Sequence, residues 1–158
     1  MAWSDEQMKF VQTNIQTIGY LLANYKKFGN DALTVAKDYC YNMGKLNGQR
    51  IKQMMGITGS DVNAIAAVWK VVLEQNFGIK AKEGLRVEGN KVIGENKGFC
   101  PMMVAVDITK APWETMCSSL SWPMMAGMAA AVNPNAKMEV PESRCWGNNR
   151  CLHVVTVP

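Results

Sequence analysis

The spacing of apolar residues changes at Gly78, and that change limits the folds open to this chain. Before Gly78, apolar residues recur every three or four positions, the period of a helix with one buried face. Met8, Val11, Ile15, Ile18, Leu22 and Tyr25 mark one stripe. Leu33, Ala36, Tyr39/Cys40, Met43, Leu46, Ile51 and Met54/Met55 mark a second, and Ile65, Val68/Trp69, Val72 and Phe77 a third. After Gly78 the period moves towards two. Leu85–Glu88 and Lys91–Ile93 read as strands joined at Gly89-Asn90, a hairpin signal. Lys137–Val140 and Leu152–Val157 read as a second antiparallel pair around a turn at Gly147-Asn148.

Punctuation supports these boundaries. Ser4 followed by Gln7 predicts an N-cap with its capping box, and Phe28-Gly29-Asn30-Asp31 ends one helix and starts the next. Ser60-Asp61 opens the third helix and Gly78 closes it. Gly44 and Gly48 stand four apart, which suits close approach of another helix. Phe99–Met103 predicts a loop or short edge strand. Pro112-Trp113-Glu114 starts a helix running to about Val132, with Pro123 inside it as a kink. The whole predicts an α+β domain over 1–158: N-terminal helices (1–78) packed on a small antiparallel sheet, with a kinked helix before the C-terminal hairpin (79–158).

Charge and hydropathy exclude some functions. The net charge is +4, and the only local basic concentrations are Lys26-Lys27 and Lys80/Lys82, so a nucleic-acid interface has no support. No stretch reaches the roughly 18 apolar residues of a membrane span. The polar start, Met-Ala-Trp-Ser-Asp-Glu-Gln, lacks the regions of a signal peptide, which predicts a cytoplasmic protein. The apolar helical half is compatible with a homodimer.

Thiols in a reducing compartment are free, metal-bound or catalytic. There are five cysteines; Cys40 lies apart, between two tyrosines in a helical stretch, as a buried bystander, and the other four are Cys100, Cys117, Cys145 and Cys151. The segment Glu142-Ser143-Arg144-Cys145-Trp146-Gly147-Asn148-Asn149-Arg150-Cys151 brings a carboxylate and two cysteines to one end of the predicted hairpin. With Cys117 these make a shell of three soft sulfurs and one oxygen, Cys117, Glu142, Cys145 and Cys151, suited to tetrahedral zinc. Cys100 is the alternative fourth ligand; an all-cysteine set would also admit an iron–sulfur cluster. The competing reading is a group of small buried thiols beside a sheet.

The Glu-x-x-Cys…Gly…Cys segment and the strand after it resemble the C-terminal signature of the 4-vinyl reductase domain family. That resemblance implies a small-molecule-binding module with zinc near the ligand pocket, its ligands falling on Cys117, Glu142, Cys145 and Cys151. A second pattern, Cys100-Pro101, Trp113 with Cys117, Asn133-Pro134 and Trp146…Cys151, is similar to L-2-amino-thiazoline-4-carboxylic acid hydrolase-like proteins. It extends to the Phe28-Gly29 break and the Trp69 helix, and implies hydrolysis of a C–N bond or opening of a small sulfur heterocycle. The Met124–Ala130 run departs from the first family, which has more glycine there.

The chain has twelve methionines, and several crowd the same region. Met102, Trp113, Met116, Trp122, Met124 and Met128 are candidates for the wall of a pocket taking a small apolar or sulfur-containing ligand. Cys100, before Pro101, is a candidate thiolate nucleophile. His153, the only histidine, is a candidate base, although its strand pattern also fits a structural residue.

Overall fold

The structure, a computed structural model, describes residues 3–158, the Asn76 side chain excepted, so Met1 and Ala2 of the polar start lie outside the described residues. Helix α1 spans Asp5–Phe28. Ser4 caps it, its hydroxyl accepting from the Gln7 N–H while the Gln7 side chain returns to the Ser4 N–H. Helix α2 spans Asn30–Met54, and α3 spans Val62–Asn76 with Asp61 as N-cap. Strands β1 (Leu85–Glu88) and β2 (Lys91–Asn96) form the expected hairpin. Strands β3 (Lys137–Glu142) and β4 (Cys151–Thr156) form the second, and β4 joins β2, giving one antiparallel sheet in the order β1-β2-β4-β3. The fold class is α+β. No helix among the described residues is long and apolar enough to cross a membrane.

Two expectations are corrected. Residues Pro101–Thr109 form helix α4 rather than a loop or edge strand, with Cys100 at its N-cap and Pro101 in the first turn, where its missing N–H costs nothing. The apolar stripe of α2 is its buried face only in part: Leu33, Ala36, Cys40 and Ile51 pack into the cores. Cys40, Gly44 and Gly48 are buried, while Tyr39, Leu46, Met54 and Met55 are exposed.

The kinked helix takes a specific form. Helix α5 (Trp113–Met116) passes through a π-helical turn, Cys117–Ser121, into α6 (Trp122–Val132). In that turn the Trp122 N–H donates to the Cys117 carbonyl, five residues back. Pro123 has no N–H to continue the ordinary ladder, and the widened turn lets the helix run on.

Two cores flank this broken helix. One is helical, built from α1 (Val11, Ile18, Leu21), α4 (Met102, Ala105, Val106) and the π turn (Met116, Cys117, Leu120). The other packs α3 (Ile65, Val68, Trp69, Val72) and α6 (Met125, Met128, Ala129) on Val92 and Val155 of the sheet. Cys40 sits in the first core, as expected of a bystander.

Candidate functional site

Strand register decides which side chains meet at the seam between the two cores. Val92, Gly94 and Asn96 of β2 pair with Val155, His153 and Cys151 of β4, so all six share a face. That face turns to the helices, since Val92 and Val155 are fully buried and a Cβ on Gly94 would meet the Trp69 ring at 3.1 Å. Cys151 and His153 therefore point towards α3, α4 and the broken helix.

Between these elements lies a cavity of about 90 Å³ with mostly apolar walls. At ~30 Å³ per water molecule it has room for a few heavy atoms, well under the several hundred Å³ of a drug-sized site. Cys100, Cys117, Cys151 and His153 line it, as do Met102 and Trp122 of the expected pocket. Trp69, Leu73, Phe77 and Met125 complete the apolar wall. The other expected pocket residues lie elsewhere: Met116 and Met128 are fully buried in the cores, and Met124 packs against both. Trp113 lines a separate surface depression beside α4. Trp69 carried a sequence signal only as a helix-face residue, which cannot distinguish core from cavity wall until the sheet is in place.

Four thiols gather at this end of the molecule from separate elements: Cys100 before α4, Cys117 opening the π turn, Cys145 in the 3-10 turn Arg144–Trp146, and Cys151 opening β4. Cys145 and Cys151 share the Ser143 hydroxyl, at 2.9 Å and 3.8 Å from their sulfurs, and the Arg144 N–H donates to Cys151 Sγ at 3.4 Å. Burial raises the Cys117 thiol above the usual range, and negative charge on Cys100, Cys145 or Cys151 would raise it further. Burial also raises Cys100, against the N–H groups of Met103 and Met102 and the positive charge of Arg144. The loop before Cys100 is held by Asn96, whose side-chain amide donates to the Phe99 carbonyl and accepts from the Gly98 N–H, both at 2.9 Å.

Glu142 does not join the thiols. Arg150 grips its carboxylate through Nε and Nη2 at 2.8 Å and 2.6 Å, which holds it below the ordinary carboxylate range. The reason lies in β3. Glu139 pairs with Val154 and Glu142 with Leu152, so β3 carries one extra residue across that step. The bulge falls beside Pro141, which cannot donate to a ladder, and it turns Glu142 to the face opposite Cys151. With Glu142 withdrawn, the expected Cys117, Glu142, Cys145 and Cys151 shell does not assemble. Among the described residues, no three His, Cys, Asp or Glu side chains stand close enough, as placed, to hold a metal ion. The thiols suit a soft ion by donor type alone.

His153 is neutral here. Burial alone lowers its pKa to about 4, with no charged or hydrogen-bonding partner acting on it. An imidazole so weakly basic is a poor general base near neutrality. Trp122, in the cavity wall, meets Trp146 of the hairpin turn edge-on at 5.4 Å. Compared with protein-family models the chain matches none, and compared with curated proteins it matches none.

Proposed function

We propose that this chain is a cytoplasmic small-molecule-binding domain in which one zinc ion, held by Cys100, Cys117, Cys145 and Cys151, fixes the end of the ligand cavity. The observation that carries the reading is the gathering of these thiols from separate elements, three of them in the cavity wall itself. Cys100 takes the place that the spacing assigned to Glu142, whose carboxylate belongs to Arg150. Four thiolates close a tetrahedral shell, so the ion is structural: it ties α4, the π turn and the hairpin together and leaves the apolar walls to select the ligand. The cavity's volume and its flexible methionines, Met102 and Met125, suit a small, soft, weakly polar molecule. The Glu-x-x-Cys…Gly…Cys resemblance to the 4-vinyl reductase domain points the same way.

Metal analysis of the purified chain tests this. One zinc per chain is expected, lost from Cys100→Ser and Cys145→Ser and retained by Glu142→Gln. Zinc kept by Cys100→Ser and lost from Glu142→Gln would restore the carboxylate set. A metal-free wild type, or a brown sample with iron and sulfide, overturns zinc altogether.

A second reading, hydrolysis of a C–N bond in a small sulfur heterocycle, draws on the position of Cys100 at the start of α4, where the N–H groups of Met102 and Met103 face its sulfur. It is the weaker reading, because burial outweighs those donors and keeps the thiol protonated, and His153 is too weak a base to activate it. Turnover abolished by Cys100→Ser, with metal still bound, would favour it.

A further inference from the structure

Helix α2 buries the side that carries Cys40, Gly44 and Gly48 and leaves another row of side chains in solvent. Ala32, Val35, Tyr39, Asn42, Leu46 and Gln49 follow one another at alternating steps of three and four. That is the a/d repeat of a coiled coil, and a helix lines its members up on one face. Ala32 is half-buried and the other five are exposed, Val35 at 67%, Tyr39 at 63% and Leu46 at 57%. No residue of the row is charged.

The charges stand beside the row, one residue before each a position: Asp31, Asp38, Lys45 and Lys52. Two acids followed by two lysines make the face complementary to itself in one direction only. Parallel pairing of two such helices sets Lys45 of one copy against Arg50 of the other, cation against cation. Antiparallel pairing puts Val35 opposite Leu46 and Tyr39 opposite Asn42 of the second copy. It also brings Asp31 to Lys52 and Asp38 to Lys45, each contact made twice across a two-fold axis.

The neighbouring surface fits the same partner. Helix α1 and the N-terminal half of α2 flank a groove of about 960 Å³, with Gln16, Thr17, Tyr20 and Asn24 on the α1 side. Residues 10–25 of α1 carry no charge, although Gln16, Thr17 and Tyr20 are exposed. Exposed aromatics without charge are the composition of an interface centre. An antiparallel copy lays the C-terminal half of its own α2 over this groove.

We propose that α2 is a homodimer interface, two copies of the chain joining through antiparallel α2 helices in the register that pairs Asp38 with Lys45. The contact uses neither the cavity nor its thiols, so it stands apart from the zinc reading.

Sedimentation equilibrium of the full-length chain, from micromolar to millimolar concentration, tests this. Wild type should dimerise reversibly. Leu46→Glu should stay monomeric with an unchanged circular-dichroism spectrum, because the side chain is exposed. Asp38→Lys and Lys45→Asp each turn two attractive pairs into repulsive ones, which should weaken the dimer about tenfold or more. An equimolar mixture of those two variants again sets opposite charges against each other, and should dimerise as tightly as wild type. A wild type that is monomeric throughout overturns the proposal, as does a dimer that survives Leu46→Glu. Charge variants that match wild type, or that weaken the dimer without recovery in the mixture, overturn it too.

Discussion

Glu142 and His153 stand on neighbouring strands, and the pleat sends their side chains to opposite faces of the sheet. Glu142 goes to a charged network with Arg150, which also reaches Glu95 at 3.3 Å. That pair is partly exposed, so its contribution to stability is small. His153 goes to the cavity, where it must shed its proton, and this has a measurable consequence. Its pKa is about 6.5 when unfolded and about 4 when folded. Between those values the unfolded chain binds more protons than the folded one, so stability falls as the pH drops from 6.5 and the loss is complete below 4. The full difference is on the order of 3 kcal/mol. Denaturant melts of chelator-treated protein should show that decline, and His153→Phe should be nearly flat over the same window. Parallel curves for the two proteins would mean that the imidazole stays charged in the fold. The thiols of this site were legible from spacing alone, because cysteine is rare and its clustering in the second half is plain. The withdrawal of Glu142 to Arg150 was not. It depends on a one-residue bulge, and register is a property of two strands together.

Helix α2 shows how a correct local reading can coexist with a face that is only partly right. The spacing of Gly44 and Gly48 anticipated close helix packing, and α6 is the partner. A Cβ on Gly44 would collide with the Met124 carbonyl, and one on Gly127 with the Tyr41 carbonyl. On Gly48 it would lie 2.8 Å from the Ala131 methyl. Glycines have no hydropathy signal, so a stripe built from large apolar residues took in Tyr39, Leu46 and Met54, which are exposed, beside Leu33, Ala36, Cys40 and Ile51, which do pack inward. The α4 segment was missed for a related reason: a short apolar run has no distinguishable period, and Pro101 fits a helix start as well as a loop. The packing makes a paired prediction. Gly44→Ala and Gly127→Ala should destabilise by about 1–3 kcal/mol, since backbone meets backbone and the neighbour cannot turn aside. Gly19→Ala, on the open face of α1 with nothing near its Cβ, should stabilise by roughly 0.5–1 kcal/mol through helix propensity. Urea melts of the three variants check both signs. Stabilisation in all three would show that α2 and α6 are not in close contact.

At the scale of the whole molecule, the thiol cluster lies where the helical core and the sheet core meet. Cys117 belongs to the first, Cys151 to a strand of the second, and the broken helix runs through both. The order of elements was readable from period and punctuation, but this seam was not, because nothing local in a sequence says which helix faces will share a core. A metal at the seam would couple the two cores, and an ion binding only the folded state stabilises it by mass action. Free zinc at a hundred times its dissociation constant adds about 2.7 kcal/mol, which for a chain of this length is a rise in melting temperature of roughly 5–10 °C. Zinc-loaded and chelator-treated samples should differ by that amount. Hydrogen exchange should locate the gain: added protection at residues 97–103, 115–122 and 143–152, where the thiols sit, and little change along the α2–α6 contact, which is already locked by backbone packing. An identical exchange pattern in the two samples would mean that zinc, if bound, does not join the cores. Added protection confined to 143–152 would reduce the site to a clasp on the hairpin, with Cys100 and Cys117 serving only as cavity wall.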